Sequence, residues 1–218
     1  LKNIARIGLP IGLNNSLYSF GHLAMQSLVN SQGSTFMAGQ AVAGRINSMA
    51  NLSVSALSSA ATTFSGQCYG SGKMDRFRLG AVRIPMVSGG VTLFCGLVCI
   101  ALRRPLLAMF TSDEEILLYA SRYVVVLLLS HWMYAVFSVL MCMVNGVGLI
   151  RFTTLISLLM LWAVRIPSAY LIAEHFDGTW VMLCFPISFA FGMIGMILYT
   201  LLSPMWKRKM NCSSRRTA

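Results

Sequence analysis

Residues 66–78 read GQCYGSGKMDRFR, and the nature of this stretch decides the kind of fold the chain has. Three glycines, a lysine and two arginines in a short segment have the look of a loop built to hold a phosphate. A Walker-type loop needs Gly, four residues, then Gly-Lys-Ser/Thr, so that backbone N–H groups wrap the phosphates and a hydroxyl meets the metal. Counting back from Gly72-Lys73, the first glycine position holds Gln67, and Met74 stands in place of the hydroxyl. The motif fails at both ends, so the surroundings must account for the stretch.

Those surroundings are apolar. Of 218 residues, 56% are hydrophobic and only 11% charged, and the mean hydropathy is +0.71. A soluble domain of this size needs far more charge to cover its surface, so the composition points to a membrane protein. Seventeen basic residues oppose six acidic ones, a net charge of +11. In a soluble protein such an excess points to nucleic acid; in a membrane protein it reports orientation, and no nucleic-acid partner is expected. The cysteines Cys68, Cys95, Cys99, Cys142, Cys184 and Cys212 form no CxxC pair and mostly sit in apolar runs. They read as small hydrophobes, with no disulfide framework and no metal site. The chain begins Leu-Lys without a cleavable signal pattern, as a fragment of something longer would.

About 20 apolar residues cross a hydrocarbon core of roughly 30 Å. Six candidates run near residues 7–30, 36–66, 79–101, 116–145, 152–173 and 178–203. The expected fold is all-α, a polytopic membrane lobe over residues 1–206 followed by a basic cytoplasmic tail at 207–218. Six crossings put both termini on one side, together with Lys2, Arg6, Lys73, Arg76, Arg78, Arg83, Arg151, Lys207, Arg208, Lys209, Arg215 and Arg216. The opposite side holds Arg103 and Arg104 but collects Asp113, Glu114, Glu115, Glu174 and Asp177. Basic loops stay cytoplasmic, so both ends are expected inside, with the lobe in the cytoplasmic (inner) membrane. The opening stretch is then a cytoplasmic turn whose glycines end a helix and whose basic flank meets anionic headgroups.

Two spans carry polar stripes. In span one Asn15, Ser19, His22, Gln26 and Asn30 fall within a sector of about 80° at 3.6 residues per turn. Span two repeats the pattern with Asn47, Asn51, Ser55, Ser58, Thr62 and Ser65, while Met49, Ala56, Ala60 and Phe64 lie opposite. Span four has a thinner stripe of His131, Ser138, Cys142 and Asn145. Polar groups facing lipid lack partners, so the stripes must face other helices or water. For an isolated serine, helix–helix glue suffices. For two continuous stripes of bulky amides with a histidine, a hydrated cavity is the better account. Singly, His22 reads as a hydrogen-bonded packing residue before a proton carrier, and His131, beside Trp132 and Tyr134, as packing or interfacial.

No Asp or Glu falls inside a span, although coupling ions such as Na⁺ or H⁺ usually engage a membrane carboxylate. Pro10, Pro85, Pro167 and Pro186 sit in or at the start of helices and permit bends. Arg165, about two turns from the end of span five, is expected to snorkel to the interface.

Three segments add a resemblance. GQCYGSGKMDRFRLG at 66–80 resembles the loop after the eighth helix of the MATE family of multidrug and toxic-compound extrusion transporters, commonly Gly-Gln-x-x-Gly-Ala-Gly-Lys followed by arginines. GVGLIRFTTLISLLMLWAVRIPSAYLI at 146–172 is similar to that family's tenth-to-eleventh helix region, and IGLPIGLNNSLYSF at 7–20 to the start of its seventh helix. The resemblance covers residues 3–209 and implies the C-terminal six-helix half of a twelve-helix transporter. It implies efflux of organic cations or drugs by Na⁺- or H⁺-coupled antiport with alternating access. The coupling ion would bind mainly in an N-terminal six-helix half, or a partner chain, and no other cofactor is implied.

On that reading the cargo-facing residues are Asn15, Ser19, His22, Gln26, Asn30, Asn47, Asn51, Ser55, Ser58, Thr62, His131 and Ser138. The sequence departs from the family where Leu149-Ile150 replace a common Asp-Thr, where Asn47 replaces an acid after Arg-Ile, and in having no acid in the spans matching the seventh and tenth helices. Two alternatives stay open: a flippase for lipid-linked saccharides, which calls for more charge inside its cavity, and a non-transporting six-helix scaffold, which needs no continuous stripes. An enzyme is not expected, because HExxH, GxSxG and paired intramembrane carboxylates are all missing.

Overall fold

In lipid every backbone polar group must be satisfied within the chain, and these apolar segments meet that demand as helices. The computed structural model describes residues 2–175 and 178–202, with side chains from Ser16 onward except at 178 and 179. The order is α1 (Lys2–Ser31), α2 (Ser34–Gly70), α3 (Met74–Ala101), short α4 (Arg103–Ala108) and α5 (Glu114–Gly146). A fifth long rod joins α6 (Ile150–Leu159), a π turn (Met160–Arg165) and α7 (Ile166–His175); a 3₁₀ turn (Gly178–Leu183) then leads into α8 (Cys184–Leu202). The side chain of Asn15 and the 207–218 tail lie outside the described residues.

Four rods are long and apolar enough to cross a membrane: Met74–Ala101, Glu114–Gly146, Ile150–His175 and Trp180–Leu202. Six crossings were the expectation. The other two, α1 with 30 residues and α2 with 37, have the length, about 45 and 55 Å at 1.5 Å per residue. Their polar stripes lower the hydropathy. The chain is a multi-pass, all-α membrane protein.

α5 is the central rod. It starts at Asp113, whose carboxylate accepts from the backbone N–H of Glu115 (2.9 Å) and Ile116 (3.3 Å), an N-cap reinforced by Glu114 and Glu115 in the first turn. Its length beyond that is apolar on nearly every side, so neighbours can cover it all round. The core accordingly has two ends. One cluster gathers Cys68, Met74, Phe77, Met143, Val144 and Val147 around the α2–α3 and α5–α6 turns. The other joins Phe36, Ile46, Leu107, Tyr123, Val124 and Met182 at the opposite end. Small residues let the rods approach: a Cβ on Gly146 would stand 2.9 Å from the Thr62 carbonyl oxygen, and one on Gly39 would stand 2.9 Å from Cβ of Tyr119. Outside this packing, Leu52, Met86, Phe94 and Leu198 stay exposed, the belt that lipid tails would cover.

The opening stretch is more helical than its glycines imply. Gly66 and Gly70 lie within α2, and the turn is only Ser71–Lys73. There the N–H of Lys73 reaches the carbonyl of Cys68 (3.1 Å) and that of Gly72 reaches Tyr69 (3.3 Å). This is a Schellman motif, and Gly72, at φ 71°, takes its left-handed position. The α5–α6 turn repeats it, with Leu149 bonded to Val144, Gly148 to Asn145, and Gly148 at φ 79°. Both motifs stand at the same end of the lobe.

Arg165 corrects the sequence reading. It does not snorkel: it is 4% exposed, with the last ten residues of its rod, about 15 Å of helix, still to come. Pro167 lacks the N–H that an α-helix would use and crowds the preceding turn. The chain widens into π geometry just before it, with the N–H of Ile166 bonding five residues back to Leu161. That wider turn ends on Arg165, inside the bundle.

Candidate functional site

Along α2 the polar stripe meets α5 and divides. One edge is glue. Ser58 and Ser138 share a hydrogen bond (2.9 Å), Ser65 donates to the Met143 carbonyl (2.6 Å), and Gln40 donates to the Tyr123 hydroxyl (3.5 Å). Each fastens α2 to α5. The other edge is open. Asn51, Val54, Ser55, Ser59 and Thr62 of α2, with Tyr134 and Cys142 of α5, line a cleft of about 330 Å³, and the Ser58–Ser138 pair forms the border it shares with the glue edge. Thr62 turns its hydroxyl back to the Ser58 carbonyl (3.0 Å). The side chains of Asn51 and Ser55 have no hydrogen-bond partner among the described residues, so they remain available to water or a ligand.

The chemistry of the cleft follows from its lining. No charged side chain takes part among the described residues. Hydroxyls, one amide, one thiol and the face of Tyr134 can accept or donate hydrogen bonds, and the ring can attract a cation through its quadrupole. Such a surface can be wetted, is neutral in its described lining, and is undemanding about ligand geometry. Among the described residues it holds no cluster of metal-ligating side chains.

The other sequence candidates stand elsewhere. Ser19, His22, Gln26 and Asn30 lie exposed along α1 without entering this cleft. Within that stripe Gln26 donates to Asn30 (3.0 Å) and the His22 ring lies 5.2 Å from that of Tyr18. Asn47 sits half-buried, one turn before Asn51, with its Oδ1 unpartnered among the described residues. His131 is 2% exposed. Although Tyr134, Ser138 and Cys142 continue its face of α5, α8 covers it there with the ring of Phe189, 6.4 Å away. Asn145, at the far end of the same face, accepts from Thr153 and ties α5 to α6. Within this chain the α2 stripe thus borders an α2–α5 cleft, and the exposed α1 stripe stands apart from it on its own helix.

Tyr134, Ser59, Val54 and Cys142 were not among the expected cargo-facing residues, although Cys142 was placed on the span-four stripe. The i, i+4, i+8 spacing of Tyr134, Ser138 and Cys142 carries the signal for the first. Beside the cleft, across the Tyr134–Phe189 ring contact (5.0 Å), lies the buried cation. The Arg165 guanidinium rests 5.0 Å from the ring centre of Phe185 and 5.2 Å from that of Phe189. Its Nε donates to Ser188 Oγ (3.0 Å), while Nη2 has no partner among the described residues. The aromatic faces supply the countercharge that no described carboxylate provides.

Residues 10–171 match the MatE family. The chain belongs to the MatE family. Among its relatives, the probable multidrug resistance protein YoeA of Bacillus subtilis is 25% identical over 214 residues, covering 94% of this chain and 44% of that protein. The probable multidrug resistance protein NorM of Thermotoga maritima is 26% identical over 187 residues, covering 83% of this chain and 40% of that protein. In fold, the chain superposes on the MATE transporter VcmN of Vibrio cholerae in its bent form with a TM-score of 0.84 at 19% identity, over 99% of this chain and 48% of that one. The eukaryotic MATE transporter AtDTX14 gives 0.80 at 19% identity, over 100% and 49%. This MatE chain thus spans less than half the length of those curated relatives, and its six rods correspond in fold to about half of a MATE transporter. The α2–α5 cleft is a feature of this one MatE lobe.

Proposed function

We propose that the chain is one lobe of a MatE-type exporter of organic cations or amphipathic drugs, and that the α2–α5 cleft is part of the surface its cargo touches. The observation that carries this reading is an open, uncharged, hydrogen-bonding cleft inside the span of a MatE lobe, where lipid alone would leave Asn51 and Ser55 unpartnered. A neutral cleft with a tyrosine face suits many cations weakly, which is the requirement for varied cargo that must also leave. The α1 stripe, with His22 and Gln26, would face the same passage once a second lobe stands opposite.

The remainder of the reading follows from family membership and charge. A second six-helix half, from the same protein or a partner chain, completes the passage, and the two rock in alternating access. Export is driven by Na⁺ or H⁺, bound mainly in that other half, since all six acids of this sequence lie at or beyond span ends. Both termini are cytoplasmic, with the Gly72 and Gly148 turns on the inner face of the cell membrane. No catalytic step is assigned.

The test is export in cells lacking their major efflux pumps and expressing the full-length gene. Ethidium accumulation should fall relative to empty vector. Asn51→Leu combined with Ser55→Leu should restore accumulation while membrane protein levels hold. Unchanged accumulation with the native gene would reject drug export, and undiminished export by the double variant would remove the cleft from the cargo path.

A further inference from the structure

A second cavity, of about 600 Å³, opens at the acidic end of the lobe, between the start of α4, the third and fourth turns of α5 and the 3₁₀ turn. Its lining mixes two chemistries: Arg103, Arg122 and Trp180 share it with Val125, Val126 and Met182, and the two valines follow Arg122 by about one turn of α5. Arg103 is held in place: its Nε donates to Ser121 Oγ (3.1 Å) and its Nη1 to the Ile100 carbonyl (3.1 Å). Its Nη2 has no hydrogen-bond partner among the described residues. Arg122 is exposed and has neither hydrogen bond nor ion pair among the described residues. Among the described residues no carboxylate lines the groove. Glu114 and Glu115 sit at the first turn of α5, about 10–12 Å along the axis from Arg122.

Two guanidinium groups on one concave surface call for an anion with several oxygens, because each fork matches a phosphate in two-point geometry. The apolar side chains of Val125, Val126 and Met182 in the same groove call for a hydrocarbon chain. Trp180, 52% exposed, has the amphipathic ring that settles at headgroup level. A free phosphate would satisfy only the first demand. We propose that this groove binds an anionic phospholipid, with its phosphate on Arg103 and Arg122 and an acyl chain along Val125, Val126 and Met182. The volume lies within the roughly 300–1,000 Å³ of small-molecule sites, enough for a headgroup and the upper part of a chain.

The experiment is native mass spectrometry of the full-length protein in mild detergent, titrated separately with phosphatidylglycerol, phosphatidylcholine and inorganic phosphate. Phosphatidylglycerol should be retained in preference to phosphatidylcholine. Arg122→Gln should lower its retention about fivefold, the weight of one arginine near a lipid surface, and leave phosphatidylcholine unchanged. Arg122→Lys should recover part of the loss. Because Arg122 holds no other described residue, its replacement tests the lipid without disturbing the fold; Arg103→Gln, which also breaks two internal bonds, should give the same selectivity loss with some loss of thermal stability. Equal retention of the two lipids, no effect of Arg122→Gln, or inorganic phosphate displacing phosphatidylglycerol at equal concentration would each overturn the proposal.

Discussion

Two polar regions lie side by side in this lobe, and they solve the membrane problem in opposite ways. The α2–α5 cleft is open, contains no charge, and spreads its polarity over hydroxyls and one amide. The Arg165 box is closed, contains a full charge, and surrounds it with the rings of Phe185 and Phe189 and the hydroxyl of Ser188. A neutral polar group in lipid costs a few kcal/mol and can wait for water or cargo. A charge cannot wait, so it is packed. Polarity meant for a ligand is therefore left weak and accessible, while polarity meant for the fold is strong and buried.

This contrast predicts a ranking of damage. Phe189→Ala should be the most severe, removing a 6% exposed ring that touches His131, Tyr134 and Arg165 together. The expected cost is about 3–5 kcal/mol, seen as loss of a monodisperse peak or a large drop in melting temperature. Phe189→Leu should recover much of it. If Phe189→Ala melts like the native protein, the box is not a structural element.

Ser188→Ala comes next. It leaves the Arg165 Nε buried without its acceptor, at about 1–3 kcal/mol. Adding Arg165→Met should return part of that loss, because the unpartnered charge goes with it. A double variant less stable than Ser188→Ala alone would mean that Arg165 holds the bundle through contacts other than its charge.

How much of this was legible in the chain depends on how local the cause was. The 3.6-residue spacing of Asn51, Ser55, Ser58 and Thr62 put them on one face, and the Gly-Lys and Gly-x-Gly turns marked where two rods end. These are properties of one helix or one turn. The fate of Arg165 was not local: its acceptor Ser188 and both rings come from α8, some twenty residues on. The same holds for His131, whose face of α5 matches that of Ser138 but whose cover is Phe189. Nor could spacing alone divide the α2 stripe into glue and cleft, since that depends on how far α5 reaches around it. Six crossings were counted from apolar length, yet α1 and α2 fall short on hydropathy for the reason that makes them interesting.

On the glue edge of the stripe the expected effects shrink. Ser58→Ala and Ser138→Ala should each cost about 0.5–1.5 kcal/mol. Their double-mutant cycle should show a coupling of about 0.6 kcal/mol, the average for a hydrogen bond between membrane helices. Zero coupling would break the division into a glue edge and an open edge. Smallest in stability is the open edge itself: Asn51→Leu should change the melting temperature little, within about 0.5 kcal/mol, yet reduce ethidium export. A large loss of stability there would mean that Asn51 belongs to the fold.

The most direct measurement uses a residue the cleft already contains. Cys142 lines it on α5, so a full-length protein keeping Cys142 as its sole cysteine can be treated with a charged, membrane-impermeant methanethiosulfonate. Cys142 should react, and ethidium should slow that reaction several-fold while leaving the reagent's reaction with a small thiol in solution unchanged. Failure of Cys142 to react, or a rate indifferent to ethidium in a protein that still exports it, would contradict the assignment of the α2–α5 cleft to the cargo path.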